Sequence, residues 1–352
     1  MSGGWEIGGG ARAGAFLDGR SDAARYARGM GKRRFDGPSD LHLHSLHSDG
    51  TESPAQVMQA AHRYGLRTAA LTDHDTTSGW AEAAEAATSL GMTFLPGMEM
   101  SAKHEWRSVH VLAYLIDPDD AALRAMTERV RASRLDRART MAGRIGRDYD
   151  LDWDDILAQT SDGATVGRPH IADALVAKGH VRDRTEAFSS ILSPRGDYYV
   201  ALFAPDPVTA VSLIAGAGGV PIVAHPAGRA GVLPEPLMTR MLDAGLAGFE
   251  LGHRENLGPG IRALQRIVDE HDLLVTGSSD YHGLGKPNLP GENTTADDMV
   301  ERIIERATVR IDQLRALALM LSYSACVIVP ASRSALALAI SSDALVPATC
   351  LM

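Results

Sequence analysis

The feature that most constrains this chain is a repeated pairing, a short apolar run closed by a histidine or a carboxylate. His42 and His44 lie two apart in the run 39–44, so in a strand both side chains leave on one side, as a chelating pair requires. Five further segments repeat the pairing: Asp49 in Ser48-Asp49-Gly50, His74 in Thr72-Asp73-His74-Asp75, Glu99 in Gly97-Met98-Glu99, His225 in Ala224-His225-Pro226, and Asp280 with His282 in Ser279-Asp280-Tyr281-His282. Groups this distant in sequence converge when the runs are parallel strands whose C-terminal ends open on one face, as in an α/β barrel. His110 differs, since it begins its run. The alternation Val109-His110-Val111 can still turn it inward, with a satisfied core histidine as the alternative.

Seven strands are expected, over 39–44, 68–72, 93–98, 109–115, 220–224, 248–251 and 273–277. Helices over 53–64, opened by a Ser-Pro cap signal, 79–90 and 206–217 alternate with them, which favours parallel strands joined by crossovers. The gap between the fourth and fifth strands is too long for one crossover. Its segments 121–147 and 152–188 read as mainly helical. The expected organisation is a barrel over 39–120 and 206–308, an inserted helical substrate-capping subdomain over 121–205, a loosely ordered extension over 1–38, and a tail over 309–352. The arginines at 131, 134, 137 and 139 would by default form a solvated helix face.

Imidazole and carboxylate without thiolate suit manganese, zinc or iron better than magnesium alone, and nine ligands exceed what one ion needs. Two or three divalent ions follow. Clustered ions meet the demands of phosphoryl transfer, so hydrolysis of a phosphate ester is the economical inference. A net charge of -9 excludes a general polyanion-binding face, because such a face needs concentrated positive charge. A small nucleotide or oligonucleotide is therefore expected as substrate, and no long nucleic acid. Of the 35 basic residues, 31 are arginine. Genome composition explains that bias, although the guanidinium fork also suits phosphate. Cys326 and Cys350 stand near the C-terminal end and support neither a disulfide framework nor a thiolate-held metal, so a cytoplasmic setting is expected. The uncharged run 316–332 is 17 residues long, at the lower edge of the roughly 17–25 that span a bilayer. Its serines and Pro330 argue for a packed helix or loose tail instead.

Together, Asp40-Leu41-His42-Leu43-His44, Ser48-Asp49-Gly50, Leu71-Thr72-Asp73-His74-Asp75, Gly97-Met98-Glu99, Val109-His110-Val111, Ala224-His225-Pro226 and Ser279-Asp280-Tyr281-His282 resemble the PHP (polymerase and histidinol phosphatase) superfamily. More narrowly, they resemble its stand-alone nucleotide phosphoesterase branch, over about 40–306. The resemblance implies a distorted seven-stranded β/α barrel and a trinuclear site. One metal would be held by His42, His44, the bridging Glu99 and Asp280, a second by Glu99, His110 and His225, and a third by Asp49, His74 and His282. Manganese is the usual ion of that branch. Its activities are removal of the 3′-phosphate from nucleoside 3′,5′-bisphosphates, hydrolysis of nucleoside monophosphates, and trimming of short RNA from the 5′ end. Arg134, Arg168, His170 and Arg229 resemble its phosphate-contacting positions, with Arg195 a weaker candidate.

The expected nucleophile is a metal-bound hydroxide, with Arg168 and Arg229 neutralising the phosphate oxygens. Rival readings are a histidinol-phosphate phosphatase, a 5′-3′ exonuclease, and a non-catalytic metal-binding regulatory module. His47 stays unassigned, because the Ser-Asp-Gly signature gives that ligand role to Asp49. Asp73 and Asp75 are candidates to orient ligands, with helix capping the alternative for Asp75. His62, His104, His180, His253 and His271 are expected on the surface.

Overall fold

The computed structural model describes residues 37–308, apart from 161–163 and 165. The tail over 309–352, both cysteines, the run 316–332 and nearly all of the extension lie outside the described residues. Among the described residues, no helix is long and apolar enough to cross a membrane.

Seven strands run in sequence order around one sheet: β1 (Ser39–Leu43), β2 (Thr68–Leu71), β3 (Thr93–His104), β4 (Arg107–Tyr114), β5 (Val220–Val223), β6 (Gly248–Gly252) and β7 (Leu274–Gly277). The sheet nearly closes. Just past β7, Leu43 and Tyr281 form a parallel bridge in which the His44 amide donates to the Tyr281 carbonyl at 2.9 Å. All seven expected strands are present, but one runs the other way: β4 pairs antiparallel with both β3 and β5. Two consecutive strands joined by a tight turn at Glu105 and Trp106 must be antiparallel. This reversal resolves the anomaly of His110, because the start of β4 reaches the face where its neighbours end. For the same hairpin, β3 extends to 12 residues, so Glu99 lies within it rather than past its end.

Helices α1 (Pro54–Arg63) and α2 (Trp80–Ser89) cover β1 and β2, while α7 (Pro207–Gly216), α8 (Glu235–Asp243), α9 (Gly258–His271) and α10 (Asp297–Arg306) follow in the second half. The cap signal is realised at α1. Ser53 Oγ accepts the Gln56 amide, and Gln56 Oε1 accepts the Ser53 amide at 2.8 Å, a reciprocal cap contributing about 1 kcal/mol. One apolar cluster, including Val57, Leu66, Leu71 and Ala83, fills the space under α1 and α2. A larger one, including Met100, Val111, Ile214, Met241 and Phe249, lies against the other helices.

Between β4 and β5 lie α3 (Ala121–Ile145), α4 (Trp153–Leu157), α5 (Arg168–Ala177) and α6 (Arg184–Ser189). They share an apolar cluster of their own around Met141, Ile145, Ile156, Leu175 and Leu192. The expected solvated arginine face of α3 does not hold throughout: Arg139 is exposed, whereas Arg134 is half-buried and Arg137 buried.

Inside the barrel, β1 shifts register between Asp40 and Leu43, and the Leu41 carbonyl lies within the shifted stretch. The hydroxyl of fully buried Tyr114, three strands away, donates to it at 3.0 Å. Replacing Tyr114 with Phe removes that buried bond and is expected to lower unfolding free energy by about 0.5–1.5 kcal/mol in urea titration. A loss below about 0.3 kcal/mol would show that the bond is not needed there.

Candidate metal centre

Glu99 is the meeting point. Its Oε2 lies 3.3 Å from His42 Nε2, 3.2 Å from His44 Nε2 and 3.1 Å from His74 Nδ1, while Oε1 lies 2.8 Å from His110 Nδ1 and 3.4 Å from His225 Nε2. On one side, Asp280 Oδ1 faces the Nε2 atoms of His42 and His44 at 3.5 and 3.4 Å. On the other, Asp49 Oδ1 is 3.1 Å from His282 Nε2 and Oδ2 is 3.8 Å from His74 Nε2. All nine candidate ligands therefore converge. Three sets hold their ligand atoms within 4.8 Å of one another: His44, Asp49, His74 and His282; His42, His44 and Asp280; and His74, Glu99 and His110. His44 thus stands between two sets, where the resemblance gives it one metal.

Several of these atoms face each other without bonding. Asp49 Oδ1, His74 Nδ1, Glu99 Oε1, His110 Nδ1 and His282 Nε2 are buried and have no hydrogen-bond partner. His42 Nε2 and His44 Nε2 approach to 3.0 Å, a hydrogen bond only when one of the two nitrogens carries a proton. Buried polar atoms are almost always satisfied, so donor atoms aimed at common points and not at one another fit a set of cations. The nitrogen and oxygen donors suit divalent ions of the manganese, iron and zinc group. Electrostatics agree. Burial alone would raise Glu99, yet the imidazoles of His110, His74 and His42 around it hold it well below the ordinary range. Burial would lower His44, but the carboxylates of Asp280 and Glu99 outweigh it and push His44 up to about 9.

The backbone is forced around this cluster. Asp75, His225 and Asp280 have φ values of 55°, 31° and 57°, left-handed conformations costing about 1–3 kcal/mol each in residues other than glycine. Each is held by hydrogen bonds. The Asp75 amide donates to the Glu99 carbonyl, the His225 amide to Glu250 Oε2 at 2.8 Å, and Asn288 Nδ2 to the Ser279 carbonyl at 2.6 Å. Asp73 accepts from the Ser45 amide and hydroxyl at 2.8 and 2.6 Å and so fixes the loop carrying Asp49. Asp75 caps no helix. It accepts from the Ser101 amide and hydroxyl and from Arg134 Nη2 at 2.9 Å.

The remaining candidates fall at different depths. His170 is buried and its Nδ1 accepts the Gly167 amide at the start of α5. Arg229 is exposed on the loop after β5, and Arg195 is exposed after α6. His47 lies against Ser78 Oγ at 2.7 Å, outside the three sets. His253 contradicts the surface expectation: it is buried, its ring centroid 5.3 Å from that of His225 and its Nε2 3.6 Å from Asp280 Oδ2. Because the Glu255 amide donates to His253 Nδ1, the neutral ring carries its proton on Nε2, toward Asp280.

Two further groups escaped the sequence reading. The Lys286 ammonium donates to Asp280 Oδ2 at 2.6 Å, which leaves Oδ1 for the centre. Glu250, fully buried in β6, binds His42 Nδ1 through Oε1 at 2.9 Å and the His225 amide through Oε2. Its carboxylate thereby fixes the His42 proton on Nδ1, freeing Nε2 as a donor atom. Alternation in the run Gly248–Gly252 was the signal available, since it turns Phe249 and Glu250 to opposite faces.

Among known proteins, a family model described as PHP domain matches residues 40–189. The chain is 35% identical to the 3′,5′-nucleoside bisphosphate phosphatase of Chromobacterium violaceum over 257 residues, 70% of this chain and 88% of that protein. It is 31% identical to a 5′-3′ exoribonuclease of Haemophilus influenzae, over 69% of this chain and 89% of that one. A solved structure from Bifidobacterium adolescentis, described as a metal-dependent phosphoesterase, is 41% identical and superposes with a TM-score of 0.75, covering 78% of this chain and 98% of that one. The chain belongs to the PHP domain family.

Replacing Glu250 with Gln keeps an acceptor for His42 but removes the charge and one of the two bonds. Manganese affinity, measured by calorimetric titration of metal-free protein, is expected to fall about 10–100-fold while the protein stays folded. Unchanged affinity would remove Glu250 from the metal-holding apparatus.

Proposed function

We propose that the protein is a metal-dependent phosphoesterase that removes a phosphate monoester from a nucleotide, specifically the 3′-phosphate of nucleoside 3′,5′-bisphosphates. The observation that carries this reading is the Glu99 carboxylate, whose two oxygens face separate groups of imidazoles. Such a carboxylate can join two cations, and paired cations suit both oxygens of a phosphoryl displacement. The identity to the Chromobacterium violaceum phosphatase over most of both chains favours this substrate class.

In this reading the nine ligands hold two or three ions, manganese first. When bound, such ions lower the pKa of a water and offset charge on phosphate oxygens. The chain's own groups do the rest. Arg134, held by Asp75 and Ser101 beside the ligand layer, and Arg168 offer planar forks to the phosphate. Arg229 on its exposed loop adds a third cation. Lys286 and His253 keep the Asp280 carboxylate turned so that Oδ1 faces inward. The helices over 121–205 serve as the substrate cap over the barrel. Trimming of short 5′-phosphorylated RNA is the second reading. The similarity to the Haemophilus influenzae exoribonuclease favours it, as does a cavity of about 930 Å³ lined by Tyr64, His170, Arg184, Leu284 and Lys286. That volume lies at the upper end of the ~300–1,000 Å³ of small-ligand sites.

A phosphate-release assay with manganese, comparing adenosine 3′,5′-bisphosphate, AMP, histidinol phosphate and a short 5′-phosphorylated RNA, tests the reading. The bisphosphate is expected to turn over best. The variants His44→Ala and Asp280→Ala should each lose more than about 100-fold of that activity while remaining soluble, since they remove direct ligands where the indirect ones already cost 10–100-fold. Preference for histidinol phosphate, or full turnover in both variants, would overturn it.

A further inference from the structure

One guanidinium joins the helical insertion to the loops that carry Asp49 and His282. Arg184, the first residue of α6, donates Nε–H and Nη2–H to the two carboxylate oxygens of Asp173 in α5, each at 2.6 Å. Its remaining nitrogen reaches the barrel: Nη1 donates to the Asp49 carbonyl at 3.3 Å, across 135 residues of sequence. The Arg184 and Asp173 side chains are 17% and 26% exposed. The pair is thus largely withdrawn from water, unlike a surface ion pair, which contributes little. Its base is fixed as well, because Asp183 Oδ1 accepts the Glu186 amide at 2.8 Å and caps α6.

The same guanidinium lies against the turn that follows His282. A side chain at Gly285 would run into Arg184 Nη1, so a glycine is needed there while the fork stays on Asp173. On its other side the turn is fastened to the Asp49 loop. The Thr51 amide donates to the His282 carbonyl at 3.1 Å, and the Leu284 amide donates to Thr51 Oγ1 at 2.8 Å. Asp49 and His282 therefore sit on one bonded unit, which Arg184 ties to the insertion. These two residues are half of the group formed by His44, Asp49, His74 and His282, and neither belongs to the other two groups. A cation beside a cation site is unfavourable in itself, since like charges repel. The Asp173 carboxylate offsets that charge, and the planar fork fixes the direction in which Nη1 points.

We propose that Arg184, held by Asp173, is a positioning residue that makes cation binding at Asp49 and His282 depend on the helical insertion. The inference rests on the reading of the centre as a polynuclear metal site and deepens it. One ion of the set is then held through the insertion as well as the barrel, while the others depend on the barrel alone. Groups that orient ligands govern metal affinity nearly as strongly as the ligands do, and here the orienting group comes from outside the barrel.

The test titrates metal-free full chain with manganese by calorimetry and counts the ions retained after desalting by inductively coupled plasma mass spectrometry. Arg184→Met, which keeps the apolar stem, is expected to weaken one ion about tenfold or more and to retain one ion fewer per chain than wild type. The other ions should keep their wild-type affinity. Arg184→Lys keeps the charge but cannot hold both Asp173 oxygens and reach the Asp49 carbonyl. It should fall between the two, and it serves if the Met variant fails to fold. Asp173→Asn should weaken the same ion, and combining it with Arg184→Met should weaken that ion no further, because the pair acts as one device. Arg182→Gln, at an exposed arginine paired with Glu186, is the control and should retain the wild-type number of ions. Wild-type binding by Arg184→Met would overturn the inference. So would equal weakening of every ion, which marks a purely structural role. One ion or none on wild-type protein would instead overturn the polynuclear reading, and the inference with it.

Discussion

Glu99 brings one carboxylate within ion-pair distance of five imidazoles, those of His42, His44, His74, His110 and His225. Much of the upper barrel follows from that crowding. Collecting so many ionisable groups out of water is unfavourable unless each gains a partner. The protein supplies some partners itself: Glu250 for His42, Lys286 for Asp280, and Asp73 and Asp75 for the loops that carry ligands. What these leave over is a set of buried donor atoms with no hydrogen-bond partner, and cations are what such a set fits. Bound ions would then stabilise the folded chain by mass action as well as equip it for chemistry. Strained backbone at Asp75, His225 and Asp280 is tolerable for the same reason, since surrounding bonds fix the conformation that the centre requires.

Strand direction decides which residues can join that cluster. Five strands bring their C-terminal ends to the site, β3 brings Glu99 from within its length, and β4, the antiparallel exception, brings His110 from its first half. A single reversal thus adds His110 without lengthening any loop. Ser101 in the β3–β4 hairpin donates to Asp75, in the loop after β2, and Arg134 reaches both, which couples the barrel to the helical insertion through one ion pair at 2.9 Å.

The strands and all nine candidate ligands were legible because their signals are local. An apolar run followed by histidine or aspartate fixes both a strand and the position of the group at its end. The direction of β4 was not legible, because an apolar run reads the same in either orientation. Glu250 resembled any alternating strand residue, and its role depends on His42, which lies 208 residues away in sequence. His253 and Lys286 are placed by loops that close over Asp280, and loop geometry leaves little periodic trace. Charge on α3 misled for a related reason. Arginine counts describe a helix's sequence, whereas the burial of Arg137 depends on the packing of Tyr199 and Val200 against it.

The central claim is that the strand ends build one polynuclear cation site around Glu99. The most direct measurement is the metal content of manganese-reconstituted, desalted protein by inductively coupled plasma mass spectrometry, set against protein concentration. Two or three ions per chain are expected. One ion or none per chain would contradict the account.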